Sequence, residues 1–208
     1  MRRALSLAGG IGPIAAALLA AQGRPALEAR LDRETGAAVR AIIDSAGHDS
    51  VPSRPLENKA LEGAAKRVPP PRIIAAVHQL FLELREARAL LRASAPDDPI
   101  SDGQIIAVAD VRRRGVPADE LSALRRHVPA SAPLVVSFTV MGDLVQRGVP
   151  AAEARRVIER LITAGAASRE IAEVPARMDV GLRVGAPPLD ALRGALPIPL
   201  RPGRPPGL

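Results

Sequence analysis

Three histidines, His48, His78 and His127, are the first residues whose chemistry could matter. They are far apart in sequence, with no His-x-x-x-His pair and no cysteine at ligand spacing, so none belongs to a readable metal motif. A structural role is expected of each: His78 borders an apolar seam, and His127 falls near a helix end, where an imidazole complements the dipole. His48-Asp49-Ser50 holds the three residue types of a nucleophilic triad, but a triad is a spatial arrangement that adjacent residues do not generally reach. Asp97, Asp98 and Asp102 lack the alternating ligands of a calcium loop and read as capping or solvated carboxylates. Leu7-Ala8-Gly9-Gly10-Ile11-Gly12 has the glycine spacing of a loose phosphate loop, yet it follows no strand. Arg112-Arg113-Arg114, Arg125-Arg126 and Arg155-Arg156 would line one basic ridge if the helices carrying them stacked in register. Such a ridge attracts phosphate backbones, but without interleaved aromatics it cannot stack bases. These residues therefore yield no catalytic assignment, no metal ligand and no cofactor or cofactor-binding residue.

Composition narrows the elements that could position a site. Of 208 residues 47% are apolar but only 1% aromatic, so the core must be aliphatic, with Phe81 and Phe138 its only rings. Abundant Ala and Leu favour helices, since strands draw on β-branched and aromatic side chains. The net charge is +7, but residues 24–196 carry only +3. The cations are nearly all arginine, in a chain also rich in Ala, Gly and Pro, which a nucleotide-composition bias would produce without any functional cause.

The chain is punctuated at a recurring interval. Gly115-Val116-Pro117-Ala118-Asp119-Glu120-Leu121 returns thirty-three residues later as Gly148-Val149-Pro150-Ala151-Ala152-Glu153-Ala154. A looser copy begins at Gly185-Ala186-Pro187, and Ser50-Val51-Pro52 and Arg67-Val68-Pro69 look like degenerate members. Each copy reads as a helix–helix junction. Glycine in the left-handed conformation closes one helix, proline opens the next at its first position, and the residue between packs back on the new helix. Ser101 with Gln104 forms a capping box, and Ser131-Ala132-Pro133 and Ser168-Arg169-Glu170 are further start signals. Helices are thus expected to begin near 52, 69, 101, 117, 133, 150, 168 and 187. Ile73, Val77, Leu80, Leu84, Ala87 and Leu91 mark one long seam, widened by Ile74 and Phe81. Ala154, Val157, Ile158, Leu161 and Ile162 mark an amphipathic helix. Residues 133–147 are apolar on nearly every side, as a central buried helix or, over 134–140, a strand; the Gly148 stop and the lack of a pairing strand favour the helix.

The expected fold class is all-α: helical hairpin repeats, as a short α-solenoid or a compact bundle, after an N-terminal signal-like segment. Residues 1–23 have a basic start, an uncharged apolar run over Ala4 to Ala20 and small residues at Ala21 and Gly23, the layout of a cleaved secretory signal. Residues 24–50 form an N-terminal helical segment, 51–196 the helical repeat domain, and 197–208 a Pro-rich disordered tail. The functional expectation is an exported, periplasmic or secreted, non-enzymatic interaction or scaffold module. Its expected partner is a protein; nucleic acid is not expected, nor is a stable membrane span after cleavage. The competing readings are an intracellular repeat protein that binds nucleic acid through arginine ridges, and an exported carrier or enzyme whose site is assembled from scattered residues.

Overall fold

The computed structural model describes residues 27–196. The signal-like segment over 1–23 and the Pro-rich tail over 197–208 lie outside the described residues. After a helical turn over 27–30, the described chain forms nine helices and no strand. They are α1 (Arg33–His48), α2 (Arg54–Ala65), α3 (Pro70–Ser94), α4 (Asp102–Arg113), α5 (Ala118–His127), α6 (Leu134–Gln146), α7 (Ala151–Thr163), α8 (Ser168–Arg183) and α9 (Pro188–Ala195). None of them is long and apolar enough to cross a membrane.

Two compact units divide between Glu83 and Leu84. In the first, α1 packs on α2. Asp32 caps α1, its carboxylate accepting the Thr35 N–H at 2.9 Å and the Thr35 hydroxyl at 2.6 Å, and these bonds hold its pKa below the ordinary value. In the second unit the packing alternates: α4 lies on α6 and α6 on α8, while α5 lies on α7, and α8 carries α9.

The punctuation works as a set of helix stops. At Gly115 (φ 90°) the N–H of Gly115 donates to Arg112 O at 3.0 Å and that of Val116 to Val111 O at 3.1 Å. Gly148 (φ 84°) repeats the pair, with Gly148 N–H to Val145 O at 2.9 Å and Val149 N–H to Leu144 O at 3.1 Å. This is the Schellman closure, and it bonds the backbone of the buried Val116 and Val149 to the helix they follow. The same bonds close α7 at Gly165 and α8 at Gly185. Both degenerate members behave alike: Ser50 and Arg67 each adopt φ 53°, with Val51 N–H on Ala46 O at 2.8 Å and Val68 N–H on Gly63 O at 2.9 Å.

The prolines sit one residue earlier than expected. Pro117, Pro150 and Pro187 occupy the cap position, with ψ of 146°, 136° and 148°, and the helices start at Ala118, Ala151 and Pro188. The ring fixes φ near −65°, which suits an extended cap as well as a first helical residue. Ser101 does form its capping box, accepting Gln104 N–H at 3.3 Å while Gln104 Oε1 accepts Ser101 N–H at 3.2 Å. At α8 only half a box exists: Glu170 accepts the Ala167 N–H at 2.7 Å, and Ala167 has no side-chain acceptor.

Residues 134–140 are helical, and α6 is the most enclosed helix of its unit: Leu134, Ser137, Phe138, Val140, Met141, Gly142 and Leu144 are all buried. β-branched content loses here because a lone strand would leave its backbone groups unpaired, whereas a helix satisfies them within itself. Along α3 the buried apolar positions are Ile73, Val77, Phe81, Leu84, Ala87 and Leu91, so Phe81 takes the seam place expected for Leu80.

Candidate functional site

The polar side chains that reach between helices of the second unit form two chains of ion pairs. The first is built on the helix stops. Arg114 and Arg147 are the residues immediately before the left-handed glycines, at helix C-termini where a cation meets free carbonyls. Arg114 reaches Asp110 one turn back at 2.5 Å and Asp143 on α6 at 2.6 Å. Arg147 donates to the Asp143 carbonyl at 2.9 Å and forks onto Asp179 of α8, Nε at 2.7 Å and Nη2 at 3.0 Å. The result is two ion-paired links, Asp110–Arg114–Asp143 and Arg147–Asp179, joined through the Asp143 backbone carbonyl, that cross α4, α6 and α8. The Arg147 fork holds the Asp179 carboxyl below its ordinary value, and the same hydrogen bond raises the Arg147 guanidinium.

The second chain joins α5 to α7. Arg155 Nε donates to Glu120 at 2.6 Å, and its Nη1 donates to both oxygens of Glu159 at 2.6 and 2.8 Å. Glu120 and then Glu159 raise the Arg155 pKa. His127 Nδ1 lies 3.0 Å from Glu159 Oε1. A carboxylate orienting an imidazole is half of a proton-transfer device, but such a device needs a nucleophile or a held substrate. The neighbouring hydroxyl, that of Thr163, donates to the Glu159 carbonyl at 2.8 Å. Together these contacts join α5 to α7. Beside it, Glu153, Arg156, Glu159, Arg160, Thr163 and Ala164 line an open depression of about 630 Å³ on α7.

A third pair is buried. The Arg125 side chain is 1% exposed and donates through Nη2 to Asp98 at 2.6 Å, while its Nε and Nη1 have no hydrogen-bond partner. Sequence reasoning assigned Arg125 to a solvated ridge and missed this role. The one available signal is its place between Leu124 and Val128, both buried.

The other singled-out residues scatter. His48 ends α1, and Asp49 and Ser50 form the turn that stops it, so the triad-like string is a helix terminus. His78 is exposed, with its ring 6.3 Å from that of Phe81. Asp98 is committed to Arg125, and Asp102 opens α4. Among the described residues no three His, Asp or Glu side chains are grouped to hold a metal ion. The arginines of the expected ridge are interleaved with acids: Arg113 and Arg114 with Asp110, Arg155 with Glu120, and Arg156 with Glu153. No family model matches this chain, and neither the curated proteins nor the solved structures contain a match to it.

Proposed function

We propose that this chain is an exported, non-enzymatic protein-interaction module built from stacked helical hairpins. The observation that carries the reading is the repeated register within the first of the two ion-pair chains. Arg114 and Arg147, thirty-three residues apart, occupy the same place before a left-handed glycine, and each reaches an aspartate on the next helix of its row. Stacked hairpins present an extended surface made of successive helices, which suits contact with another polypeptide. Exposed apolar side chains on α4 and α6, Ile106 and Val135, each 41% exposed, are candidates for that contact. The export part of the proposal is supported by the residue pattern over 1–23.

Two experiments test the reading. N-terminal sequencing of the protein from its native cell should find a chain that starts after Ala21 or Gly23; an intact Met1 in a soluble cytosolic fraction ends the export claim. Affinity capture from the same cells should recover a protein that the double variant Ile106→Glu/Val135→Glu, folded by circular dichroism, no longer holds. Recovery by both forms, or binding to duplex DNA that weakens steeply with salt, overturns the interaction reading.

A further inference from the structure

The most exposed large apolar residues of the described chain sit together on α8: Val180 is 57% exposed and Val184 is 82% exposed. Ala176 and Ala172, one and two turns before Val180, are exposed as well. The four recur at every fourth residue and so form one apolar ridge along the helix. The other sides of α8 are engaged. Ile171, Val174 and Met178 are buried, Asp179 turns to Arg147 of α6, and a Cβ on Gly181 would lie 3.0 Å from Ala191 Cβ of α9. Counted back from the closing glycine, Val180 and Val184 occupy the places that Asp143 and Arg147 hold before Gly148. In α6 those places carry charges that link one helix of the row to the next. In α8, the last helix of that row among the described residues, they carry exposed valines.

We infer that a second copy of this chain covers the ridge, α8 against α8 about a two-fold axis. Ridges of every fourth residue pack side by side when two helices cross at about −50°, the commonest geometry between helices. The choice of a second copy rests on the order of sizes along the ridge. It runs Ala172, Ala176, Val180, Val184, small at one end and large at the other. A two-fold axis level with residue 178 turns one ridge end for end against its copy. Ala172 then faces Val184 of the second copy, and Ala176 faces Val180. Each valine meets an alanine in both directions, the reciprocal contact that a two-fold interface requires. Large opposite small is also how facing side chains interdigitate, whereas a parallel pairing sets valine on valine at one end and leaves a gap between alanines at the other. The flank of the ridge is in keeping. Glu173 is held by Arg169 at 2.8 Å and Arg177 at 2.5 Å, so its charge is matched within its own helix when the ridge leaves water. A crossing of three turns is smaller than a standard interface of about 800 Å² per partner, so the pair forms reversibly. This surface is not the one on α4 and α6 assigned to a protein partner, and each reading stands or falls on its own test.

Sedimentation equilibrium of the full chain should show a dimer whose share rises with concentration. Val180→Glu, at an exposed site that leaves the core untouched, should raise the dissociation constant about tenfold or more. A monomer at every concentration, or a dimer that Val180→Glu does not weaken, overturns the inference. The register has its own test, because the chain contains no cysteine and introduced thiols report alone. An equal mixture of Ala172→Cys and Val184→Cys, one of them carrying a size tag, should form the mixed disulfide about tenfold faster than either variant links to itself. In the two-fold pair the two 184 positions stand about 18 Å apart along the helices, beyond the reach of a disulfide. Val184→Cys that links to itself as fast as the mixture reacts overturns the antiparallel pairing.

Discussion

Ser50 and Arg67 hold a conformation that costs an L-residue about 1–2 kcal/mol, because Cβ crowds the following carbonyl. They hold it because the helix stop they serve requires it, and the buried Val51 and the half-buried Val68 follow. Glycine at either site removes the crowding but loses more freedom on folding, about 0.5–1 kcal/mol. Arg67→Gly and Ser50→Gly should therefore each stabilise by about 0.5–1 kcal/mol, read as a higher urea midpoint. Gly115→Ala should lower the midpoint by a similar amount, although a Cβ there meets nothing within 4 Å, because the penalty is in the backbone alone. Arg125 poses a different problem at the same scale. With its guanidinium buried, removal of its one carboxylate leaves an uncompensated charge. Asp98→Ala should then cost about 3 kcal/mol, and the double variant Arg125→Met/Asp98→Ala should recover most of it. Equal stability of single and double variants would show that the buried charge is not the cause.

Close approach sets the limits at the level of the element. Gly142 lies in the middle of α6, where a Cβ would be 2.7 Å from Val111 Cγ1 of α4. Gly142→Ala should destabilise by about 1–3 kcal/mol through overpacking despite the better helix propensity of alanine. Gly194 in α9 has nothing within 4 Å of its added Cβ and no positive φ, so Gly194→Ala should stabilise by about 0.5–1 kcal/mol. Thermal denaturation of the two variants side by side checks the contrast, and equal shifts would mean that α4 and α6 do not meet at this glycine. The helix starts were the most legible feature of the sequence: eight were expected, and the helices begin within two residues of them, at 54, 70, 102, 118, 134, 151, 168 and 188. Start and stop signals are local chemistry, caps and left-handed turns, and need no knowledge of what a helix packs against. The opening of α1 at Asp32 was not singled out; its cap bonds are of the same local kind, but its partner is Thr35, not the glutamate or glutamine of a capping box.

The ion-pair chains make the second unit sensitive to pH. Asp179 has a folded pKa below its ordinary 3.8, the Arg147 hydrogen bond being the largest cause. A depressed carboxyl contributes stability that is fully present above the unfolded value and lost as pH falls through the folded one. Asp179→Asn should therefore be less stable than the parent at neutral pH, with the two converging as pH drops well below 3.8. Urea melts across that range read the difference, and parallel curves would mean that the Arg147 contact does not form in solution. The same chains explain why the arginine clusters could not be read as a surface: Arg114 finds its second acid, Asp143, 29 residues away and Arg155 finds Glu120 35 residues away.

Helical class, the junction residues and the burial of α6 follow from residues within a turn or two of one another, and the sequence alone determined them. Left-handed glycines, cap acceptors and apolar periodicity act over a few residues, so their effect is present before any tertiary contact forms. Which arginine meets which carboxylate, that Arg125 goes inside, and that Val180 and Val184 stay outside were decided only in the tertiary structure. Those outcomes depend on which helix lies beside which and at what register, and a periodic pattern specifies that a face is covered without naming what covers it.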